Sequence, residues 1–404
     1  MTTPEPGGRS RRPDDDHDHD LDTVHASPPA ADAPARVRGA RQLVGLLPQL
    51  IGYHPDHSVV VVASELLPGR GPQLGQMVCS ARLDLPPADA MQDHLDAVRA
   101  PLRQARDVAS GAVLLTVVGY DLPEREPTVV EEEHALALES AARRLAAATG
   151  THLHDLLLVR DQGRQLSALV QDGDDVPDRD RGWTPVPAPA DVPAAADLVL
   201  AGRAALPSRA EVVQQVRQRD ETAANATGVA LGILELDLTR LDPGARLGAL
   251  AAWVVDGVRP SARERAGIAV LLAERELRDA VLARWLPELG WDAAVSTHSL
   301  MERCPGLAPV RAEEWRDPVA RLLSLAGQLP QGLDTPVLTM VAMIAWVRGD
   351  GTLANEAVDL ALERDPRYTL AQLVRRATEA GLRPPRPAGT GNRSARRSGG
   401  RPAA

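Results

Sequence analysis

Gly52-Tyr-His-Pro-Asp-His-Ser-Val-Val-Val-Val-Ala63 decides how the first half of this chain folds. Ser58–Ala63 is a short unbroken apolar run behind a polar turn, the pattern of a strand buried on both faces. Upstream, Leu43, Leu46, Leu47 and Leu50 fall at helical spacing, and Pro48 is expected to split that segment into two short helices. Downstream, a polar loop with Gly69, Gly71 and Gly75 leads to a second strand at about Gln76–Leu85. That loop precedes a strand, so it lacks the helix N-terminus that would hold a phosphate and reads as a hairpin loop. Met91, Leu95, Val98 and Leu102 mark an amphipathic helix with a kink expected at Pro101. Val113–Val118 reads as a third strand and Glu131–Ala148 as an Ala-rich helix. Asp155–Arg160 and Gln165–Val170 flank Asp161-Gln-Gly163, a hairpin signal. Strands joined through helices should run parallel, and strands joined by short loops antiparallel. The fold class expected for residues 36–171 is therefore a mixed-sheet α/β sandwich.

Residues 172–207 are Asp- and Pro-rich and read as an irregular connector that packs along the first domain. Residues 208–382 read as an all-helical domain. Ser208-x-x-Glu211 and Ser261-x-x-Glu264 fit capping boxes. Asp242-Pro243, Asp317-Pro318 and Thr335-Pro336 each place an N-cap before a proline at the first helical position. Near the end, Pro336–Val347 and Leu353–Glu363 form a helix hairpin around Arg348-Gly-Asp-Gly351, stopped by Asp365-Pro366. Ala342, Ala345, Ala354 and Ala361 let its helices approach closely. The spacing resembles one tetratricopeptide unit, without that repeat's Trp-Leu-Gly-Tyr positions or a clear second copy. A helix pair packed on the protein's own helices is the simpler reading; a peptide groove is the alternative.

The chain has 404 residues, which allows two or three domains. Aromatics make up 2%, with no Phe, so the core must be built from Ala, Leu and Val. All 45 basic residues are Arg. Without an ε-amine, Schiff-base and pyridoxal-phosphate chemistry, P-loops and the common kinase machinery are excluded. Cys79 and Cys304 form no C-x-x-C motif and read as buried hydrophobes. With no apolar run near 18 residues and no apolar leader, a cytoplasmic protein without membrane contact is expected.

The net charge of −10 is uneven. Residues 1–35 are acidic, carry Asp14-Asp-Asp-His-Asp-His-Asp20, and read as a disordered tail. Residues 383–404 hold six Arg and no acid and read as a second disordered tail. The acidic body between them disfavours nucleic acid.

Three segments resemble an actinobacterial family known as domain of unknown function 4192. They are Leu46-Leu-Pro-Gln-Leu-Ile-Gly-Tyr-His-Pro-Asp-His-Ser-Val-Val60, Leu206-Pro-Ser-Arg-Ala-Glu211, and Ala345-Trp-Val-Arg-Gly-Asp-Gly351 with Ala361-Leu-Glu-Arg-Asp-Pro-Arg-Tyr368. Their order and distances fit across about residues 37–383. Lys-free, Ala- and Arg-rich usage suits a high-GC actinobacterial genome. The resemblance implies no activity, cofactor or catalytic residue.

The expected topology places Gly52–Ser58 beside the ends of the second, third and fourth strands. The candidate ligand-binding residues are Tyr53, His54, Asp56, His57, Ser58, Arg82, Asp84, Tyr120, Asp121, Arg160 and Asp161, with Gly119 at the same edge. The plain alternative is structural: His54-Pro55-Asp56 is a good turn, Ser58 starts the strand, and Tyr120 covers the sheet edge. His54 and His57 would need Asp84 or Asp121 as a third ligand to hold a metal. His152-x-His154 should lie at the opposite edge, so the two pairs do not make one site. No metal or cofactor is assigned. The expected function is a non-enzymatic binding protein, with a small ligand or a protein as partner. The alternative is a hydrolase or transferase with its site around His54–Ser58.

Overall fold

One mixed sheet of eight strands organises the N-terminal half, among the residues the computed structural model describes: 21–24, 37, 39–66, 74–109, 111–122, 129–177, 181–200, 203–235, 242–291 and 316–382. The strands are β1 (Leu21–Val24), β2 (Ser58–Leu66), β3 (Leu74–Asp84), β4 (Val113–Tyr120), β5 (His152–Arg160), β6 (Gln165–Gln171), β7 (Asp174–Asp175) and β8 (Thr184–Pro185). Their order is β1-β3-β2-β4-β5-β6-β7, with β8 also paired to β6. Among the described strands of the sheet, β4 and β5 pair in parallel and the other neighbours are antiparallel. Because β3 and β4 both run antiparallel to β2, they run parallel to each other across it. This is the direction expected of strands joined through helices.

The register sorts β2 into two faces. Val59, Val61 and Ala63 pack with α2 (Met91–Asp96), α3 (Arg99–Val108) and α4 (Val129–Thr149). Val60 and Val62 pack with α1 (Gly39–Ile51) and α5 (Pro193–Leu200). A strand covered on both faces needs no polar alternation, which is why its sequence is continuously apolar.

Several local expectations are corrected. α1 runs unbroken through Pro48, with Leu43 to Ile51 all buried. Packing of Leu46, Leu47, Leu50 and Ile51 outweighs the one backbone hydrogen bond that proline removes. The Met91 helix breaks at Ala97–Val98 rather than kinking at Pro101. Pro101 then sits in the first turn of α3, where its missing N–H has no helical partner to lose. Leu21–Val24, within the stretch read as disordered, pairs along β3 as an edge strand. The stretch read as irregular carries β7, β8 and α5, and Val192, Ala195 and Leu198 join the α1 face of the core. The Gly69–Gly71 loop, Cys304 and the tail after residue 382 lie outside the described residues.

The C-terminal half is helical: α6 (Arg209–Arg217), α7 (Glu221–Glu235), α8 (Pro243–Ala251), α9 (Ala262–Ala273), α10 (Arg275–Trp285), α11 (Arg316–Gly327), α12 (Thr335–Val347), α13 (Gly351–Arg364) and α14 (Thr369–Glu379). Its core gathers Trp285, Leu322, Leu325, Met340, Ile344, Val358 and Leu370. Ser261 and Glu264 form the capping box, and Asp242 accepts from the amides of Gly244 and Ala245. Ser208 precedes α6 without a side-chain cap, and Thr335 lies inside α12, one residue after its N-cap. The hairpin of α12 and α13 is present, and α12 is buried over its whole length among the protein's own helices. No described helix is long and apolar enough to cross a membrane.

Candidate functional site

The site is built where α1 ends. Gly52 closes that helix with φ +94°, a left-handed turn that glycine takes without strain. Its amide donates to the Pro48 carbonyl (2.8 Å), and Tyr53 then pairs with Leu206 as an isolated parallel bridge. His54 N donates to Leu206 O (2.9 Å), and Leu206 N donates to Gly52 O (2.8 Å). The turn is thereby stitched to the segment entering the helical half.

The strand register fixes the rest. Ser58 faces Asp84 on one side and Tyr120 on the other, and Tyr120 faces Val159. Alternation puts Asp84, Ser58, Tyr120 and Val159 in one transverse row on the α1 face. Directly opposed residues hold their Cβ atoms about 5 Å apart. Arg82 lies on the same face, one row inward, opposite Val60. Its guanidinium pairs with the Asp84 carboxylate, reaches the Asp56 carbonyl at 3.5 Å, and sits 6.0 Å from the centroid of the buried Tyr53 ring.

His57 lies at the rim with φ +37°. Its Nδ1 is 3.0 Å from the Asp121 carbonyl oxygen, and its own carbonyl accepts from Leu85 N. Burial raises the Asp121 carboxyl above its usual range, opposed chiefly by His57 and the Gln162 amide. Partial burial lowers the imidazole of His54. Burial, followed by the Asp121 charge, pushes the Tyr120 phenol up.

The structure therefore brings Tyr53, His54, Asp56, His57, Ser58, Arg82, Asp84, Tyr120 and Asp121 to one edge. Arg160 is not among them. Alternation turns it to the α4 face, where its guanidinium lies 3.9 Å from the Trp183 ring centroid. Asp161 is exposed in the β5–β6 turn and pairs with Arg164. Among the described residues, His54 and His57 do not close into a three-ligand group with Asp84 or Asp121.

Sequence reasoning missed the far wall. Thr352 Oγ1 on α13 donates to the Ile51 carbonyl (2.8 Å), and Arg209 on α6 bonds Glu356 (2.9 Å) with Asp84 at 4.0 Å. Thr352, Asn355 and Glu356 share one helix face by their spacing of three and four. Leu353 packs against both the helical core and the α1-side core. The N-terminal turns of α13 thus meet the end of α1 and the edge carrying Ser58. Replacing Thr352 with Val should cost about 1 kcal/mol, because the shape stays while the Ile51 carbonyl loses its donor. Chemical denaturation of the full chain checks this; an unchanged midpoint would contradict the contact.

Three polar side chains in this region have no hydrogen-bond partner among the described residues. They are Ser58 Oγ, Tyr120 Oη, and both amide atoms of Asn355. Their residues are 0%, 1% and 3% exposed. Most buried polar groups in proteins are paired, so each such exception calls for a physical reason.

A family model described as Domain of unknown function (DUF4192) matches residues 41–385. No curated protein matches the chain, and no solved structure does. The match spans strands β2–β8, the edge carrying Ser58 and the helices that wall it, and the chain belongs to the DUF4192 family.

Proposed function

We propose that this chain is a binding protein, and that the edge formed by Tyr53–Ser58, the ends of β3 and β4, and the first turns of α13 seats a small polar ligand. The observation that carries this reading is that Ser58 Oγ, Tyr120 Oη and the Asn355 amide, all buried, have no hydrogen-bond partner among the described residues. Leaving a buried donor or acceptor unpaired costs about 1–3 kcal/mol. A ligand bearing hydroxyl or carboxylate groups would satisfy them, with Arg82 and Arg209 supplying positive charge beside it.

Binding is favoured over hydrolysis by the placement of the histidines. A serine nucleophile needs a base within hydrogen-bond reach. Ser58 Oγ bonds to neither His54 nor His57, and the Nδ1 of His57 is held by the Asp121 backbone. The α12–α13 hairpin is read as a wall of this seat rather than as a tetratricopeptide peptide groove.

The test is a thermal-stabilisation screen of the purified full chain against sugars, carboxylates, nucleotides and amino acids. A compound that binds only the native state raises the melting temperature by mass action. At least one polar metabolite is expected to do so in a concentration-dependent manner. A complete absence of stabilisers at millimolar concentration would count against the reading.

A further inference from the structure

We propose that His154, with Asp172 beside it and Asp155 behind it, forms a site for a divalent metal ion of the zinc class at the sheet edge opposite Ser58. The site is built by a β-bulge. β5 pairs Leu153 with Leu115 and then Asp155 with Thr116, so His154 is the extra residue and is re-aimed out of simple alternation. That is why His152 and His154 do not act as a pair: His152 is exposed, while His154 is 8% exposed and buried beneath the β6–β7 turn. Gly173 N donates to the His154 carbonyl (2.8 Å), holding the turn over it.

Asp155 occupies the position of an orienting carboxylate. It is 1% exposed, and its Oδ2 lies 2.8 Å from His154 Nδ1. Thr116 Oγ1 donates to the same oxygen at 3.4 Å, and Asp172 N donates to Oδ1 at 3.3 Å. A carboxylate on one ring nitrogen fixes the tautomer and leaves the other nitrogen as a metal ligand. That other nitrogen, Nε2, is buried and makes no hydrogen bond among the described residues.

Nε2 faces Asp172 Oδ1 at 3.5 Å. The separation is long for a hydrogen bond. It is close to the edge of a tetrahedral site, since two zinc bonds of about 2.0–2.1 Å subtend about 3.4 Å. The protein ligands are thus His154 Nε2 and Asp172 Oδ1, with Asp155 held on Nδ1 as their support. The Asp172 side chain is 65% exposed, so an ion can enter from solvent and water can complete its coordination. Imidazole with carboxylate suits zinc and its neighbours rather than calcium or magnesium.

The acidic tail also holds histidines, so the test uses a full-length background chain carrying His17→Ala, His19→Ala and His25→Ala. Zinc chloride is titrated into it by calorimetry, and melting temperature is read alongside. One zinc per chain is expected, with a higher melting temperature. Asp172→Asn should weaken binding at least tenfold, and His154→Gln should abolish it. Asp172 is mostly exposed, so its variant remains informative if His154→Gln folds poorly. A background chain that takes up no zinc, or variants that bind it as tightly, would overturn the assignment; the His154–Asp155 pair would then be a structural clamp on the turn.

Discussion

Replacing Glu356 with Ala should destabilise the full chain by about 3 kcal/mol. Glu356 is 7% exposed, and its partner Arg209 sits between it and Asp84. Truncating the carboxylate strips a largely desolvated guanidinium of its nearer counter-ion. The penalty is placed at the lower end of the range for a broken buried pair, because Asp84 remains 4.0 Å away and is itself solvated. Removing both charges together should be far milder. Arg209→Met with Glu356→Leu is expected to recover most of the loss, since well-packed apolar replacements of a buried pair are often neutral. Urea unfolding of the two variants and the native chain reads this difference. Equal losses in the single and double variants would show that the two residues are not coupled across the junction.

The second large effect has the opposite sign. Ser58→Ala combined with Tyr120→Phe removes two buried hydroxyls that make no hydrogen bond among the described residues. In the absence of ligand, the double variant should be at least as stable as the native chain, by up to about 2 kcal/mol. Most substitutions of buried residues destabilise, so a gain here separates hydroxyls kept for binding from hydroxyls kept for folding. Ser58 and Tyr120 are register partners, so their effects need not add and the pair is measured as a unit. A loss of 2 kcal/mol or more would mean that the hydroxyls support the fold and would remove the main argument for a ligand seat.

The near side of the site was readable from the chain because strand direction follows from connection type. Ser58-Val-Val-Val-Val-Ala63 had to be a buried strand, and the helices before Val113 and His152 had to return the chain in parallel. Those two rules put Ser58 at the same end of the sheet as Asp84 and Tyr120; that it lies directly opposite both follows from the strand order β3-β2-β4, which connection type does not give. Arg160 was misplaced because strand alternation acts one residue at a time: Val159 points to the α1 face, and Arg160 turns away to Trp183. Alternation counted from Val159 would have found this. Pro48 misled for a different reason. A proline rule describes a helix in isolation, and α1 is packed along the whole stretch from Leu43 to Ile51.

The far wall had no local signal. Thr352, Asn355 and Glu356 share a helix face, yet nothing in their spacing says that this face meets residues about 300 positions earlier in the chain. The bulge at His154 was equally hidden, since it arises from how β5 registers on β4 rather than from its composition. Both proposed sites therefore depend on long-range packing that periodicity cannot encode.

The most direct test of the ligand seat compares melting temperatures of the native chain and the Ser58→Ala/Tyr120→Phe variant, each with and without the best compound from the screen. The account predicts that the compound raises the native melting temperature and leaves that of the double variant unmoved. An equal rise in both proteins would place the ligand elsewhere and contradict it.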